Sequence, residues 1–396
     1  MNASSHPPPV PREAAVHAQR LAAGFPIVAI TGPRQSGKTT LARALFPGKA
    51  YVSLEDLDQR EFASSDPRGF LARFPDGAVF DEAQRAPGLF SYLQGVVDER
   101  RRMGDFVLTG SQQFGLRSGI SQSLAGRVGL VELLPFSYRE LAAVGRAPPD
   151  LDQWLWRGGY PPLYDRPVTP DLWFPNYVAT YLERDLRQAL AVRDLDLFQR
   201  FIKLCAARTG QLLNLSSLAT DCGVAQSTAR EWLGVLENSY VVTRLPPYYR
   251  NFGKRLVKTP KLYFLDAGLA AWLLGIRDAA ALAIHAQRGA LFETWVVSEF
   301  QKARCHAGRP SELYFWRDHV GHEVDLVWET ADGLRAVEIK SGATFVGEWL
   351  AALRRWQAFA GEAASEPWLV YGGRDSFVRD GHRVLGWTEA AMAAQS

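Results

Sequence analysis

The sequence predicts a multidomain α/β protein, on three observations. Short apolar runs alternate with helical stretches over the first third of the chain, and a glycine-rich loop follows the first of those runs. Residues 145–284 then read as mainly helical. From residue 285 to the end, strands and a long helix return. Alternating strands and helices form a mostly parallel, three-layer sheet, and later blocks of a different rhythm mark further domains.

Taken in order, residues 1–20 open with the proline-rich MNASSHPPPVPR and read as a disordered leader, although 13–24 already have helical spacing. PIVAIT (26–31) is a β-rich apolar run, followed by the glycine-rich turn and by TTLARALF, which has helical spacing. Further runs are AYVSL (50–54), GAVFDE (77–82), DFVLTG (105–110) and GLVELLPF (129–136), with GLFSYLQGVVDERRR (88–102) as an intervening helix. Continuous apolar runs of this kind belong to strands covered on both faces. This first domain spans 21–144.

The stretch 145–171, rich in Pro, Gly and Trp, reads as a connector into the middle region, 145–284. YVATYLERDLRQAL (177–190) and FQRFIKLCAART (198–209) are helical, and YVVTRL (240–245) and KLYFLD (261–266) are strand-like. The last domain, 285–396, holds the helix RGALFETWVVSEFQKA (288–303) and the strands ELYFWR (312–317), EVDLVWE (323–329) and LRAVEIKS (334–341).

Composition narrows the function classes. A chain of 396 residues accommodates two or three domains at roughly 100–200 residues each. The formal net charge is +3, so a nucleic-acid surface would have to be a local patch. Cys205, Cys222 and Cys305 are far apart without CxxC spacing, which argues against a zinc site or a disulfide framework and fits a reducing compartment. No apolar run approaches the ~20 residues of a membrane helix, and the leader lacks the apolar core of a signal peptide. The expectation is a cytoplasmic protein with no membrane partner.

GPRQSGKT, Gly32 to Thr39, matches the phosphate-binding pattern G-x-x-x-x-G-K-[ST] in full, between a strand and a helix as that pattern requires. Gly32, Pro33, Arg34, Gln35, Ser36, Gly37, Lys38, Thr39 and Thr40 would surround the phosphates, all but Pro33 able to offer a backbone N–H, helped by the positive end of the helix. Lys38 would reach the β- and γ-phosphates, and the Thr39 hydroxyl would ligate Mg²⁺. In AVFDEAQ, a strand ends in Asp81 and Glu82; Asp81 would hold Mg²⁺ and Glu82 would orient the attacking water. The bland alternatives are a chance loop match and a surface acid pair, and the strand–loop–helix context disfavours both. In TGSQQ, Thr109, Ser111 or Gln112 would sense the γ-phosphate, or else only cap the next helix. A guanidinium neutralises transition-state charge on the γ-oxygens; Arg127 is the candidate for doing so in trans, with Arg184 and Arg187 as rivals and an ordinary structural arginine as the alternative.

NLSSLATDCGVAQSTAREWLGVLENSYVV (214–242) has the rhythm of a helix-turn-helix, with Gly223 in the turn and Ser227 as N-cap of the second helix. The segment that follows interleaves Arg250, Lys254, Arg255, Lys258 and Lys261 with Tyr248, Tyr249 and Phe252, a mixture suited to DNA. A winged helix can equally serve as a protein contact or a lid, and Glu231 and Glu237 temper the basic character of this one.

EVDLVWETADGLRAVEIKSG places Asp325 on one strand and Glu338-x-Lys340 on the next, joined by a turn at Asp332–Gly333. Period two puts Glu338 and Lys340 on one face, and hairpin pairing brings Asp325 to Glu338. Two carboxylates and a lysine form a metal-dependent phosphodiesterase constellation. Asp325 and Glu338 would bind Mg²⁺ or Mn²⁺, Glu293 would add a ligand, and Lys340 would position or deprotonate water. Cleavage and mere binding are both open to such a fold, and a solvated hairpin is the plain alternative.

With these pieces in order, the chain resembles a family of bacterial and archaeal ATP-binding proteins. The matching stretches are GPRQSGKTTL, VFDEAQRAP, LTGSQQ, SLAGR, GGYP, TYLERDLRQ, LFETWV and EVDLV…AVEIKSG, together spanning about 25 to 342. The resemblance implies an AAA-type ATPase domain, a winged-helix-like segment and a C-terminal domain of the PD-(D/E)xK nuclease type. An arginine donated in trans needs a neighbour, so a homo-oligomer is expected. The expected function is ATP hydrolysis coupled to DNA binding or remodelling. The alternatives are a nucleotide-controlled switch acting on a protein partner and, weaker, a small-molecule kinase.

Overall fold

The computed structural model describes residues 8–111, 123–182, 195–248 and 258–394. Five strands form the first sheet: β1 (Ile27–Thr31), β2 (Ala50–Ser53), β3 (Ala78–Asp81), β4 (Phe106–Gly110) and β5 (Val128–Glu132). Their order is β2-β3-β4-β1-β5, and every pair is parallel. Both faces are covered. Ile27, Ala29, Phe80, Phe106 and Leu108 pack on one side, and Val28, Ile30, Val79, Val107 and Val131 on the other. All five residues of β1 and of β4 are buried, which is why these strands read as unbroken apolar runs.

The leader is shorter than the sequence suggests. Residues 1–7 lie outside the described residues, but Val10 is buried and helix α1 (Ala14–Gly24) runs along the sheet. Ala14 and Ala18 join the cluster formed by Val28, Ile30 and Val131. Burial of this small apolar stripe fixes a segment that its prolines alone would leave loose.

The middle region carries the helix pair Leu215–Cys222 and Gln226–Asn238, with Gly223 left-handed between them at φ +82°. The second helix begins a residue earlier than Ser227: Ala225 holds the cap position and no side chain caps it. Three antiparallel strands, β6 (Gln211–Leu212), β7 (Val242–Leu245) and β8 (Lys261–Phe264), form a small sheet in the order β6-β8-β7. The helix expected over 177–190 is a π-helical turn at Val178–Leu182, and its remainder lies outside the described residues.

The last region is a six-stranded mixed sheet in the order β13-β14-β12-β11-β10-β9. Its strands are β9 (Tyr314–Arg317), β10 (Glu323–Thr330), β11 (Gly333–Lys340), β12 (Trp368–Tyr371), β13 (Phe377–Arg379) and β14 (His382–Gly386). Thr330 pairs with Gly333, so the hairpin loop is Ala331–Asp332, one residue before the expected turn. On one face Trp328, Val337 and Val370 meet Trp295 and Phe300 of the long helix Arg288–His306. On the other, Val327, Ala336 and Leu369 meet Leu353 and Trp356 of the helix Ala351–Ala360. The first of these clusters also takes in Phe201, Trp232 and Leu262, so the middle and last regions share one core.

Candidate functional site

The phosphate loop leaves β1 at the centre of the parallel sheet and enters helix α2 (Lys38–Leu45). Its backbone demands glycine at two places. A Cβ on Gly32 would lie 2.1 Å from the Leu133 carbonyl oxygen, and Gly37 sits at φ +92°. Gln35 is left-handed as well, at φ +63°, and its amide donates to the Tyr181 hydroxyl at 2.8 Å. The Arg34 guanidinium lies over the same ring at 5.5 Å. Lys38 donates to the Gly32 and Pro33 carbonyls at 3.1 and 2.7 Å. The Ser36 hydroxyl is buried with no hydrogen-bond partner, as suits a loop that closes on phosphate oxygens.

Beside this loop, β4 lies between β3 and β1, so the ends of all three strands converge. Thr39 Oγ1 is 2.9 Å from Asp81 Oδ1 and 3.0 Å from Oδ2, which joins the first turn of α2 to the end of β3. Asp81 also accepts from Tyr51 at 2.8 Å and from Thr109. Burial, followed by the bond to Asp81, pushes the Tyr51 hydroxyl well up, so it stays a donor. Glu82 follows in a left-handed conformation at φ +53°, a cost accepted at sites where a side chain must be aimed. Its carboxylate accepts from Ser111 at 3.1 Å and Gln84 at 2.6 Å, and its N–H donates to Thr109 at 3.3 Å. A hydroxyl and a carboxylate in contact at a phosphate loop are the oxygen donors that Mg²⁺ takes, so the residues present fit that ion. A cleft of ≈ 650 Å³ opens here, lined by Gln35, Lys38, Thr39, Thr40, Asp81 and Glu82, with Pro161, Arg166 and Tyr181 also on its wall.

Arg127 is elsewhere. It immediately precedes β5, whose first residue, Val128, pairs with Ile27 at the start of β1, so Arg127 stands at the sheet edge remote from the loop. Its guanidinium is paired with Asp98 at 2.6 and 2.8 Å. The position rules out a part in this chain's own phosphate site. Gln112, Arg184 and Arg187 lie outside the described residues, as do Tyr249, Arg250, Phe252, Lys254 and Arg255.

In the last region the three expected carboxylates share one neighbourhood. Asp325 falls where the β9–β10 register shifts, and its Oδ2 accepts the Ile339 N–H at 2.8 Å. Glu338 is bound by Lys340 at 2.5 Å, and its other oxygen is buried without a partner. Burial and the charge of Asp325 push the Glu338 carboxyl up to about 8 and that of Glu293 up to about 7. The cation among them is one the hairpin pattern does not include. Lys261 Nζ, from β8, lies 2.9 Å from Glu293, 2.5 Å from Glu323 and 3.7 Å from Asp325. Glu293 further accepts from Tyr263 at 2.5 Å. Glu293, Asp325 and Glu338 do not bring one oxygen each within 4.8 Å of one another. This set does not fit a bound divalent ion.

Several site residues escaped sequence reasoning. Arg12 donates to the Ser36 carbonyl at 2.6 Å, across 24 residues, with no local motif to announce it. Tyr51 reaches Asp81 from β2, and Tyr181 and Arg166 line the cleft from the π-turn and a loop. Lys261 had a signal, a lysine leading an otherwise apolar strand in period two with Tyr263, but it reads equally as part of a basic wing.

Residues 24–142 match the family model described as AAA domain, 148–280 match Domain of unknown function (DUF8612), and 288–390 match Domain of unknown function (DUF4143). Two curated relatives, Uncharacterized protein Mb2031c of Mycobacterium bovis and Uncharacterized protein Rv2008c of Mycobacterium tuberculosis, are each 37% identical over 340 residues, covering 84% of this chain and 74% of theirs. The chain belongs to the family of these mycobacterial proteins. Residues 24–142 form an AAA-type P-loop ATPase domain, which implies nucleotide binding with a divalent metal. Among solved structures, the Walker-type ATPase PABY2304 of Pyrococcus abyssi aligns at 14% identity, covering 66% of this chain and 94% of that one, with a TM-score of 0.42. The RuvB Holliday junction branch migration motor of Thermotoga maritima aligns at 18% identity over 59% and 88%, with a TM-score of 0.28. Among the described residues no helix is long and apolar enough to cross a membrane.

Proposed function

We propose that this protein hydrolyses ATP with Mg²⁺ and couples hydrolysis to DNA held by its middle region. The observation that carries the reading is the contact of Thr39 with Asp81 at 2.9 Å, next to Glu82 in the same cleft. Thr39 and Asp81 would hold Mg²⁺, which supplies charge neutralisation at the β- and γ-phosphates. Lys38 would move from the loop carbonyls to those phosphates. Glu82, aimed by Ser111 and Gln84, would orient the attacking water, and Thr109 would fix Asp81 and Glu82 relative to one another.

The DNA half of the reading rests on the helix pair. Gln226, Ser227 and Arg230, at the start of its second helix, are exposed, as an element entering a groove requires. The strand β7 follows it directly in the chain and pairs with β8, as in a wing. The Tyr240 hydroxyl donates to Thr31 Oγ1 at 2.8 Å, a direct link from this region to the strand that ends in the phosphate loop. A homo-oligomer completes the reading, with an arginine delivered from a neighbouring subunit; Arg127 would have to leave Asp98 to serve.

The test is fluorescence anisotropy of labelled duplex, single-stranded and forked DNA with the Glu82→Gln protein. The reading expects tighter binding of one DNA form with ATP than with ADP. Equal and negligible affinity in both states would favour the switch acting on a protein partner.

A further inference from the structure

We propose that the Lys261 ammonium is the resident cation of the C-terminal carboxylate cluster, and that this cluster is an ionic tie between two sheets which excludes divalent metal.

The argument starts from position. Lys261 is the first residue of β8, in the three-stranded sheet of the middle region. Its partners come from elsewhere: Glu293 from the long helix, and Glu323 and Asp325 from β10. The lysine side chain is 3% exposed, so its charge is held by these groups and not by water. A buried ammonium is stable only when paired and hydrogen-bonded, and this one has carboxylate oxygens at 2.5 and 2.9 Å with a third at 3.7 Å.

Room and charge then exclude a second cation. A divalent ion needs carboxylate oxygens within about 2.0–2.6 Å, and Nζ fills the space between those of Glu293 and Glu323. The same carboxylates carry further bonds: Asp325 Oδ2 accepts the Ile339 N–H, Glu293 Oε1 accepts the Tyr263 hydroxyl as well as Lys261, and Glu323 Oε2 accepts Arg317 at 3.0 Å. Lys340 covers Glu338 at 2.5 Å. Four carboxylates thus face three basic side chains, Lys261, Lys340 and Arg317, which leaves little charge for an ion of +2 to neutralise. Glu338 Oε2, buried without a partner, is a single donor and makes no coordination sphere by itself.

The experiment is Mn²⁺ binding by the full chain without nucleotide, read from loss of the free-ion electron paramagnetic resonance signal. The weak Mn²⁺ sites common to all variants cancel in the comparison. Wild-type and Asp325→Asn proteins are expected to bind the same number of ions. Lys261→Ala is expected to gain one site, lost again when Asp325→Asn is added. A wild-type site that disappears in Asp325→Asn would overturn the proposal. So would a folded Lys261→Ala protein that gains none. Should Lys261→Ala not fold, the comparison of wild type with Asp325→Asn decides alone.

Discussion

Arg12 donates to the Ser36 carbonyl at 2.6 Å, binding the segment before the first helix to the phosphate loop. The same guanidinium reaches the Leu134 carbonyl at 2.6 Å and Glu140 at 3.0 Å. Glu140 is fully buried and caps the helix Tyr138–Ala143 through a capping box with Ser137. Arg12→Ala would strand that carboxylate without its charge partner, at a cost of about 3–5 kcal/mol. Urea denaturation is expected to show this loss, together with weaker nucleotide binding. An unshifted midpoint would mean that Arg12 does not hold the loop.

The cleft residues divide into binding and turnover. Lys38→Ala is expected to abolish nucleotide binding or hydrolysis. Glu82→Gln is expected to retain ATP and to lose roughly 10²- to 10⁴-fold in rate, the range of a positioned acid–base group. A steady-state assay beside equilibrium binding separates the two. Normal turnover by Glu82→Gln would assign the water to another residue.

His306 predicts an acid limit at the junction between the first and last regions. It is buried at the end of the long helix, and its Nε2 accepts the Leu134 N–H at 3.3 Å. Burial lowers its value to about 4, with Glu140 opposing and Arg12 and Lys302 reinforcing. The unfolded chain therefore takes up this proton first. Stability tied to His306 is present above about 6.5 and falls as the pH drops toward about 4, by up to about 3 kcal/mol. Denaturation at pH 7.5 and 5 is expected to show a steeper loss for wild type than for His306→Gln. Parallel losses would contradict this.

Arg230 tests the helix pair. It is exposed near the start of the helix Gln226–Asn238. Arg230→Ala is expected to weaken DNA binding and, as a phosphate contact, to reduce the salt slope by about 1, with ATP hydrolysis in the absence of DNA unchanged. DNA titrations at several salt concentrations measure it. An unchanged affinity would move the interface elsewhere.

What the sequence made legible was local. Gly32 to Thr39 and Asp81–Glu82 are short motifs on strand ends, and parallel pairing carries them together without further information. Glu338 and Lys340 follow from period two, and Asp325 from hairpin register. The unread part was long-range. Arg12 and Glu140 are 128 residues apart, and Lys261 finds Glu293 and Glu323 only once two sheets share a core. Arg127 shows the converse: strand direction, not proximity in sequence, puts it at the far edge of the sheet. Ser227 lost its cap role to a helix whose cap position lies two residues earlier, at Ala225.

The most direct test is the rate of Mg²⁺-dependent ATP hydrolysis with and without duplex, single-stranded and forked DNA. The account predicts measurable basal turnover, abolished in Lys38→Ala, that rises clearly with one DNA form. A rate indifferent to every DNA would contradict the coupling, and absence of turnover in wild type would contradict the ATPase itself.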